Sequence, residues 1–315
     1  MDLSAFLANQ DTILLDGAMG TQLALRGLSM GGQTNLTNPD VVLDIHKEYS
    51  QSGCHILITN TFIMNRIYIE THKVGVDVRE VNLAGTKLAR LAADKDQYVL
   101  GDVGTTGKLL EPYGDLSESF AYEAYKEQAG LLAEGGVDGF IIETMLDLKE
   151  ALCALRACKE ISSLPVIVSL AFSTPKNGGR TVMGNSANDC ATALTESGVQ
   201  VVGANCGDID PSQMAEIVSM LCSATELPIL AQPNAGKPKL VDNKTEFEMS
   251  PTEFSNGILE CIRAGANLVG GCCGTSPEHI RAVAQRLFQN NGAGTYAMVI
   301  AKLIFGHFLI YHYLT

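Results

Sequence analysis

Cations are in short supply in this 315-residue chain: 22 Lys and Arg stand against 35 Asp and Glu, for a formal net charge of −13. A surface this acidic repels phosphate backbones, which argues against nucleic acid as a partner. Charged residues make up only 18% of the chain against 46% hydrophobic residues, which excludes intrinsic disorder. The N-terminus, Met1-Asp2-Leu3-Ser4, lacks the basic-then-apolar build of a secretory signal. The nine cysteines are odd in number, and the chain is too long to depend on a small disulfide framework. The expected setting is therefore reducing and cytoplasmic, where cysteines serve metal binding or catalysis. No G-x-G-x-x-G follows the first apolar run, so a dinucleotide-binding sheet has no local support.

What the sequence does hold is rhythm. Eight apolar runs read as buried parallel strands: Ile13–Gly17, His55–Asn60, Tyr98–Val103, Gly139–Thr144, Val166–Phe172, Val201–Cys206, Pro228–Asn234 and Leu268–Cys273. They are rich in Val, Ile and Leu without clean polar alternation, as expected of strands covered on both faces. Helical periodicity separates them at Pro39–Ser52, Ser119–Gly135, Asp147–Ile161, Pro211–Cys222 and Ser250–Ala264. Gly53, Gly136, Gly198 and Gly265 read as stops after helices. Eight strand–helix units predict a single-domain (β/α)8 TIM barrel over residues 1–289, with a doubly wound open sheet as the alternative.

In such a barrel the active site lies at the carboxyl ends of the strands. The residues there are Asp16, Asn60, Asp102, Glu143, Cys206, Asn234 and the Cys272-Cys273 pair. Glycines flanking Cys272-Cys273 let the backbone turn so that both sulfurs face one point. Cys206 ends a strand two places round the barrel, close enough to join them. Three thiolates suit zinc, and a three-ligand set leaves one position open, as in catalytic zinc sites. His279 is expected to lie too far along the last helix to be the fourth ligand. The other six cysteines read as buried free thiols. Asn234 ends the strand between the cysteine-bearing ones, so its amide oxygen is either a displaceable fourth ligand in the absence of substrate or a pin for its loop.

Leu14-Leu15-Asp16-Gly17-Ala18-Met19-Gly20-Thr21, Asn60-Thr61-Phe62, Glu143-Thr144, Asn205-Cys206 and Gly270–Pro277 together resemble the homocysteine S-methyltransferase family over about residues 10–288. Gly101–Gly104 and Gln232–Pro238 bring the chain nearest the homocysteine-binding modules of cobalamin-dependent methionine synthases. The resemblance implies zinc on Cys206, Cys272 and Cys273. It also implies that Asp16 and Glu143 hold the substrate ammonium while the Gly17-Ala18-Met19 loop receives its carboxylate. Two carboxylates attracting one ammonium, and glycine-rich amides forming an anion nest, are physically sound roles. The chain departs from the family at Ile63-Met64, where a small pair such as Gly-Ala is usual. A corrinoid-binding D-x-H-x-x-G is missing, because Asp44-Ile45-His46 is followed by Tyr49 where glycine is needed. A methyl donor such as methylcobalamin is therefore expected on a separate corrinoid protein. S-methylmethionine, betaine or another onium compound is the alternative donor, and a non-catalytic barrel with structural zinc is the alternative role.

The segment 290–315 is strongly apolar from Tyr296 to Leu314, yet Lys302, His307 and His312 interrupt it. A membrane span is disfavoured by those ionisable residues. A helix packed on the barrel or on a partner subunit is the leading reading, and a segment with no native role is the other.

Overall fold

A computed structural model describes residues 2–241 and 244–290. The expectations about the apolar tail lie outside these residues. Among the described residues no helix is long and apolar enough to cross a membrane.

All eight expected strands are present: β1 (Ile13–Leu14), β2 (Ile56–Ile58), β3 (Tyr98–Val103), β4 (Gly139–Met145), β5 (Val166–Leu170), β6 (Val201–Asn205), β7 (Ile229–Gln232) and β8 (Leu268–Val269). Each pairs in parallel with its chain neighbours, β8 returns to β1, and a parallel bridge between Leu15 and Ile56 joins β1 to β2. The sheet thus closes on itself as a (β/α)8 barrel, and the open doubly wound sheet is set aside.

Side chains alternate along each strand, and burial sorts them into two layers. Ile13, Leu15, Ile56, Leu100, Ile141, Ile167, Val201, Leu230 and Leu268 fill the barrel interior. Their neighbours, such as Leu14, Leu57, Val99, Phe140, Val166 and Val202, pack outward against the helices. Two residues further on, the inward positions turn polar: Asp102 follows Leu100, Glu143 follows Ile141, Ser169 follows Ile167 and Gln232 follows Leu230. The apolar plug therefore ends one layer below the carboxyl rim, and the polar layer above it builds the site.

The amino end of the barrel is closed by a helix that the periodicity reading missed, Leu3–Asn9. Its signal was there in Asp2, whose carboxylate caps the Ala5 amide at 2.8 Å, followed by Leu3, Phe6 and Leu7 at helical spacing. The run Val166–Phe172 is divided in the structure. Val166–Leu170 stays in the barrel, while Phe172–Thr174 leaves it to pair antiparallel with Arg180–Thr181. The helix expected over Pro39–Ser52 stops at Ser50. Gly53, Gly136, Gly198 and Gly265 all take positive φ, consistent with chain reversal into the next strand.

Candidate active site

The carboxyl ends of the strands surround a cavity of about 520 Å³. Gly17, Ala18, Met19, Asn60, Asp102, Glu143, Cys206, Gln232, Cys272 and Cys273 all line it. Adjacent residues of a regular strand point to opposite faces, so Asn205 and Cys206 cannot both face inward by alternation alone. The conflict is resolved by Cys206, which takes φ +54° and turns its sulfur inward beside Asn205. The turn expected at a glycine flanking Cys272-Cys273 is present at Gly274 (φ +80°), and Cys206 and Gly207 add a second left-handed turn that the sequence pattern does not mark.

The Sγ atoms of Cys206, Cys272 and Cys273 lie within 4.8 Å of one another. Among the described residues this is the one cluster of three or more Cys, His, Asp or Glu with such spacing. The three sulfurs share protons. Hydrogen bonds from Cys272 and Cys273 pull the Cys206 thiol down to about 3. The bond to Cys206 in turn pushes Cys273 up to about 12, and Cys272 is raised in the same way. Asn234 is 1% exposed; its Nδ2 donates to Gly207 O at 3.0 Å, and its Oδ1 is buried without a hydrogen-bond partner. His279 engages Ser276 Oγ through Nδ1 (2.9 Å) and Met249 O through Nε2 (2.9 Å), so both ring nitrogens are committed away from the sulfurs. Cys54, Cys153, Cys158, Cys190 and Cys261 are buried free thiols as expected, while Cys222 is only half-buried.

Three soft donors converging at one point fit a borderline-soft divalent ion such as zinc.

Beside the sulfurs lies a second unusual group. Asp16, at the end of β1, accepts from Ile58 N at 2.9 Å through Oδ2, while its Oδ1 is buried without a partner. Asp102 Oδ1 is likewise buried and unpaired. Burial pushes both carboxyls well above the usual range, and repulsion from Glu143 adds to the shift. Glu143 is itself raised to about 8 by burial and then by the Cys206 charge. No Lys or Arg lines the cavity. Three crowded carboxyls without a Lys or Arg beside them suit a cationic ligand group. The sequence marks Asp102 only as a strand-end residue; the tertiary structure brings it into this group.

The Gly17-Ala18-Met19 loop is held from below. Tyr49 Oη donates to Ala18 O (3.0 Å) and Thr275 O (3.2 Å). A Cβ on residue 17 would lie 2.7 Å from Thr275 Oγ1, so only glycine allows this approach. The Ala18 N–H is committed to Thr275 Oγ1 at 3.0 Å, which leaves the Gly17 and Met19 amides as the candidates for a ligand anion. Ile63 lines the same cavity. Met64, which also reaches it, is 1% exposed and packs with Ile69 and Val81. The bulk at these two positions thus forms one wall of the mouth.

A family model described as Homocysteine S-methyltransferase matches residues 13–287. The chain is 32% identical to a methionine synthase of Mycobacterium leprae over 311 residues, covering 92% of this chain and 25% of the relative. It is 31% identical to a methionine synthase of Mycobacterium tuberculosis, covering 88% of this chain and 24% of the relative. The chain therefore spans about a quarter of the length of these relatives. Among solved structures, the metallated form of the homocysteine methyltransferase MmuM from Escherichia coli superposes with a TM-score of 0.75 at 22% identity, covering 90% of this chain and 98% of that one. At that identity the likeness speaks for the fold.

Proposed function

The chain belongs to the homocysteine S-methyltransferase family, and from that premise we propose that it is a zinc-dependent enzyme that methylates homocysteine to methionine. The observation that carries this reading is the pairing of two groups at one barrel mouth: three sulfurs within 4.8 Å, and the carboxyls of Asp102 and Glu143 lining the cavity with that of Asp16 buried behind them and no Lys or Arg among the lining residues. Homocysteine offers a thiol for the first and an ammonium for the second.

Cys206, Cys272 and Cys273 would hold the zinc, and the Asn234 amide oxygen, buried without a partner, would complete its shell before substrate arrives. When bound, zinc supplies a deprotonated yet nucleophilic thiolate from a thiol whose free pKa is about 8.5. Asp16 and Glu143, joined by Asp102, hold the ammonium and ionise as they do so. The Gly17 and Met19 amides receive the carboxylate. Together these contacts fix the amino acid so that its sulfur faces the mouth and an incoming methyl group in line. No side chain is needed as general base.

The proposed donor is a methylated corrinoid on a separate protein, following the resemblance carried by Gly101–Gly104 and Gln232–Pro238. The barrel is proposed to occupy residues 1–289, with 290–315 as a separate tail. The deciding experiment measures methionine formation from homocysteine with free methylcobalamin, S-methylmethionine and betaine in turn. Turnover with methylcobalamin is expected. Turnover with only an onium compound would replace the donor. Zinc K-edge spectroscopy that shows no new sulfur ligand on adding homocysteine would sink the enzymatic reading.

A further inference from the structure

Asn205 is fully buried at the end of β6, and the sequence gives it no role beyond its place before Cys206. In the structure its amide uses every bonding direction it has. Oδ1 accepts from Thr144 N (2.8 Å) and Ser169 Oγ (2.7 Å). Nδ2 donates to Thr144 Oγ1 (2.7 Å) and to Cys272 Sγ (3.8 Å). The orientation of the amide is fixed chemically, because the Thr144 N–H can only meet an acceptor.

The partner at the other end is Thr144, which sits at φ +56°. That region is unfavourable for any side chain and most of all for a β-branched one. The cause is a bulge in β4. Ile142 pairs with Val168 and Met145 with Leu170, so Glu143 and Thr144 face a single residue of β5. A bulge re-aims side chains, and here it sets the direction of Glu143 into the cavity. Nothing in the local sequence favours the left-handed conformation at a threonine. The two bonds from Asn205 to the Thr144 backbone and hydroxyl supply what the local sequence does not.

We propose that Asn205 is a positioning residue that ties the Glu143 bulge to the sulfur cluster, so that the ammonium and thiol sites keep one spacing. This rests on the functional reading above, in which Glu143 binds the ammonium and Cys272 belongs to the metal site. Breaking the tie lets Thr144 leave its left-handed conformation and swings Glu143 away. The sulfurs stay where β8 and Cys206 hold them. Asn205 thus acts on recognition of the amino group more than on the metal.

The test uses full-length protein loaded with zinc. Four forms are compared: the parent, Asn205→Ala, Asn205→Asp, and Asn205→Ala combined with Thr144→Gly. Calorimetry measures binding of homocysteine and of its desamino analogue, the same mercapto acid without the amino group. Zinc content and circular dichroism are recorded for each form. The parent is expected to prefer homocysteine. Asn205→Ala is expected to lose about tenfold in homocysteine affinity, the effect of losing one charge-assisted contact. It should bind the analogue as the parent does and keep its zinc. Asn205→Asp keeps the acceptor oxygen but loses both donations, so it is expected to fall between. Should Asn205→Ala fail to fold, this variant carries the test. Thr144→Gly in the Ala background is expected to restore much of the preference, since glycine adopts positive φ without cost. Unchanged preference in Asn205→Ala and Asn205→Asp would overturn the tie and leave the functional reading standing. Loss of zinc together with loss of both ligands would also overturn it, making Asn205 a support of the metal site. A parent chain that binds no homocysteine would overturn the functional reading itself, and the tie with it.

Discussion

Replacing Cys272 or Cys273 by Ala removes one of three sulfurs that lie within 4.8 Å of each other. Two thiolates and a weak amide bind zinc poorly, so metal analysis is expected to fall from one ion per chain to near zero in either variant, and equally in Cys206→Ala. Full occupancy in the Cys272 and Cys273 variants would exclude the site as drawn. Asp16→Asn and Glu143→Gln act on the other half of the cavity. On the proposed function each would remove one charge-assisted contact to the ammonium, for an expected loss of about 1.5–3 kcal/mol in homocysteine binding. Zinc content should not change. Calorimetric titration decides, and unchanged affinity in both variants would make these carboxyls structural. Asp102→Asn is expected to behave like Asp16→Asn, because Oδ1 of each is buried and unpaired.

At the scale of elements, the helix Pro39–Ser50 carries a second kind of buried group. His46 is fully buried, and neither ring nitrogen has a hydrogen-bond partner. Burial pushes it down to about 4 from the ordinary 6.5, so the ring is neutral in the folded protein at neutral pH. Above the unfolded value both states are neutral, and the residue contributes no pH dependence. As pH falls from 6.5 towards 4, the unfolded chain takes up a proton that the folded one refuses. Stability is then lost at about 1.4 kcal/mol per pH unit across that window. Asp16, Asp102 and Glu143 are shifted up and work the opposite way, so only the difference between variant and parent isolates the histidine. His46→Leu is expected to flatten the acid limb and to raise stability at pH 5 by about 2 kcal/mol relative to pH 7. Urea unfolding at the two pH values measures this. A constant difference between His46→Leu and the parent would refute it.

For the molecule as a whole, the sulfur cluster is a clamp. Cys206 follows β6, and Cys272 and Cys273 follow β8, with β7 between them. A metal held there would fasten one arc of the barrel and bind the folded state more tightly than the unfolded chain. Linkage gives about 2.7 kcal/mol at a metal level a hundred times the dissociation constant. Removing zinc with a chelator is therefore expected to lower Tm by roughly 4 °C in a chain of this size. Restoring zinc should restore Tm, and the Cys272→Ala variant should respond to neither step. An unchanged Tm on chelation in the parent would show that no metal couples to folding.

The barrel is legible in the order of apolar runs alone. Eight Val-, Ile- and Leu-rich runs spaced by helices leave few ways to bury both strand faces, and every run became a strand of the closed sheet. The sequence also placed Cys206, Cys272, Cys273, Asp16 and Glu143 on one face, because in a parallel barrel all strand ends point the same way. What it could not supply was direction. The side-chain period of two is blind to a bulge at Glu143-Thr144 and to a left-handed Cys206, and these aim the ligands. The tie through Asn205 depends on partners at separations of 36, 61 and 67, and the place of Asp102 depends on Glu143 and Asp16 on other strands. Local pattern carries no record of such distances. Only closure of the barrel brings those ends together and leaves Asp16 Oδ1, Asp102 Oδ1 and Asn234 Oδ1 buried without partners there.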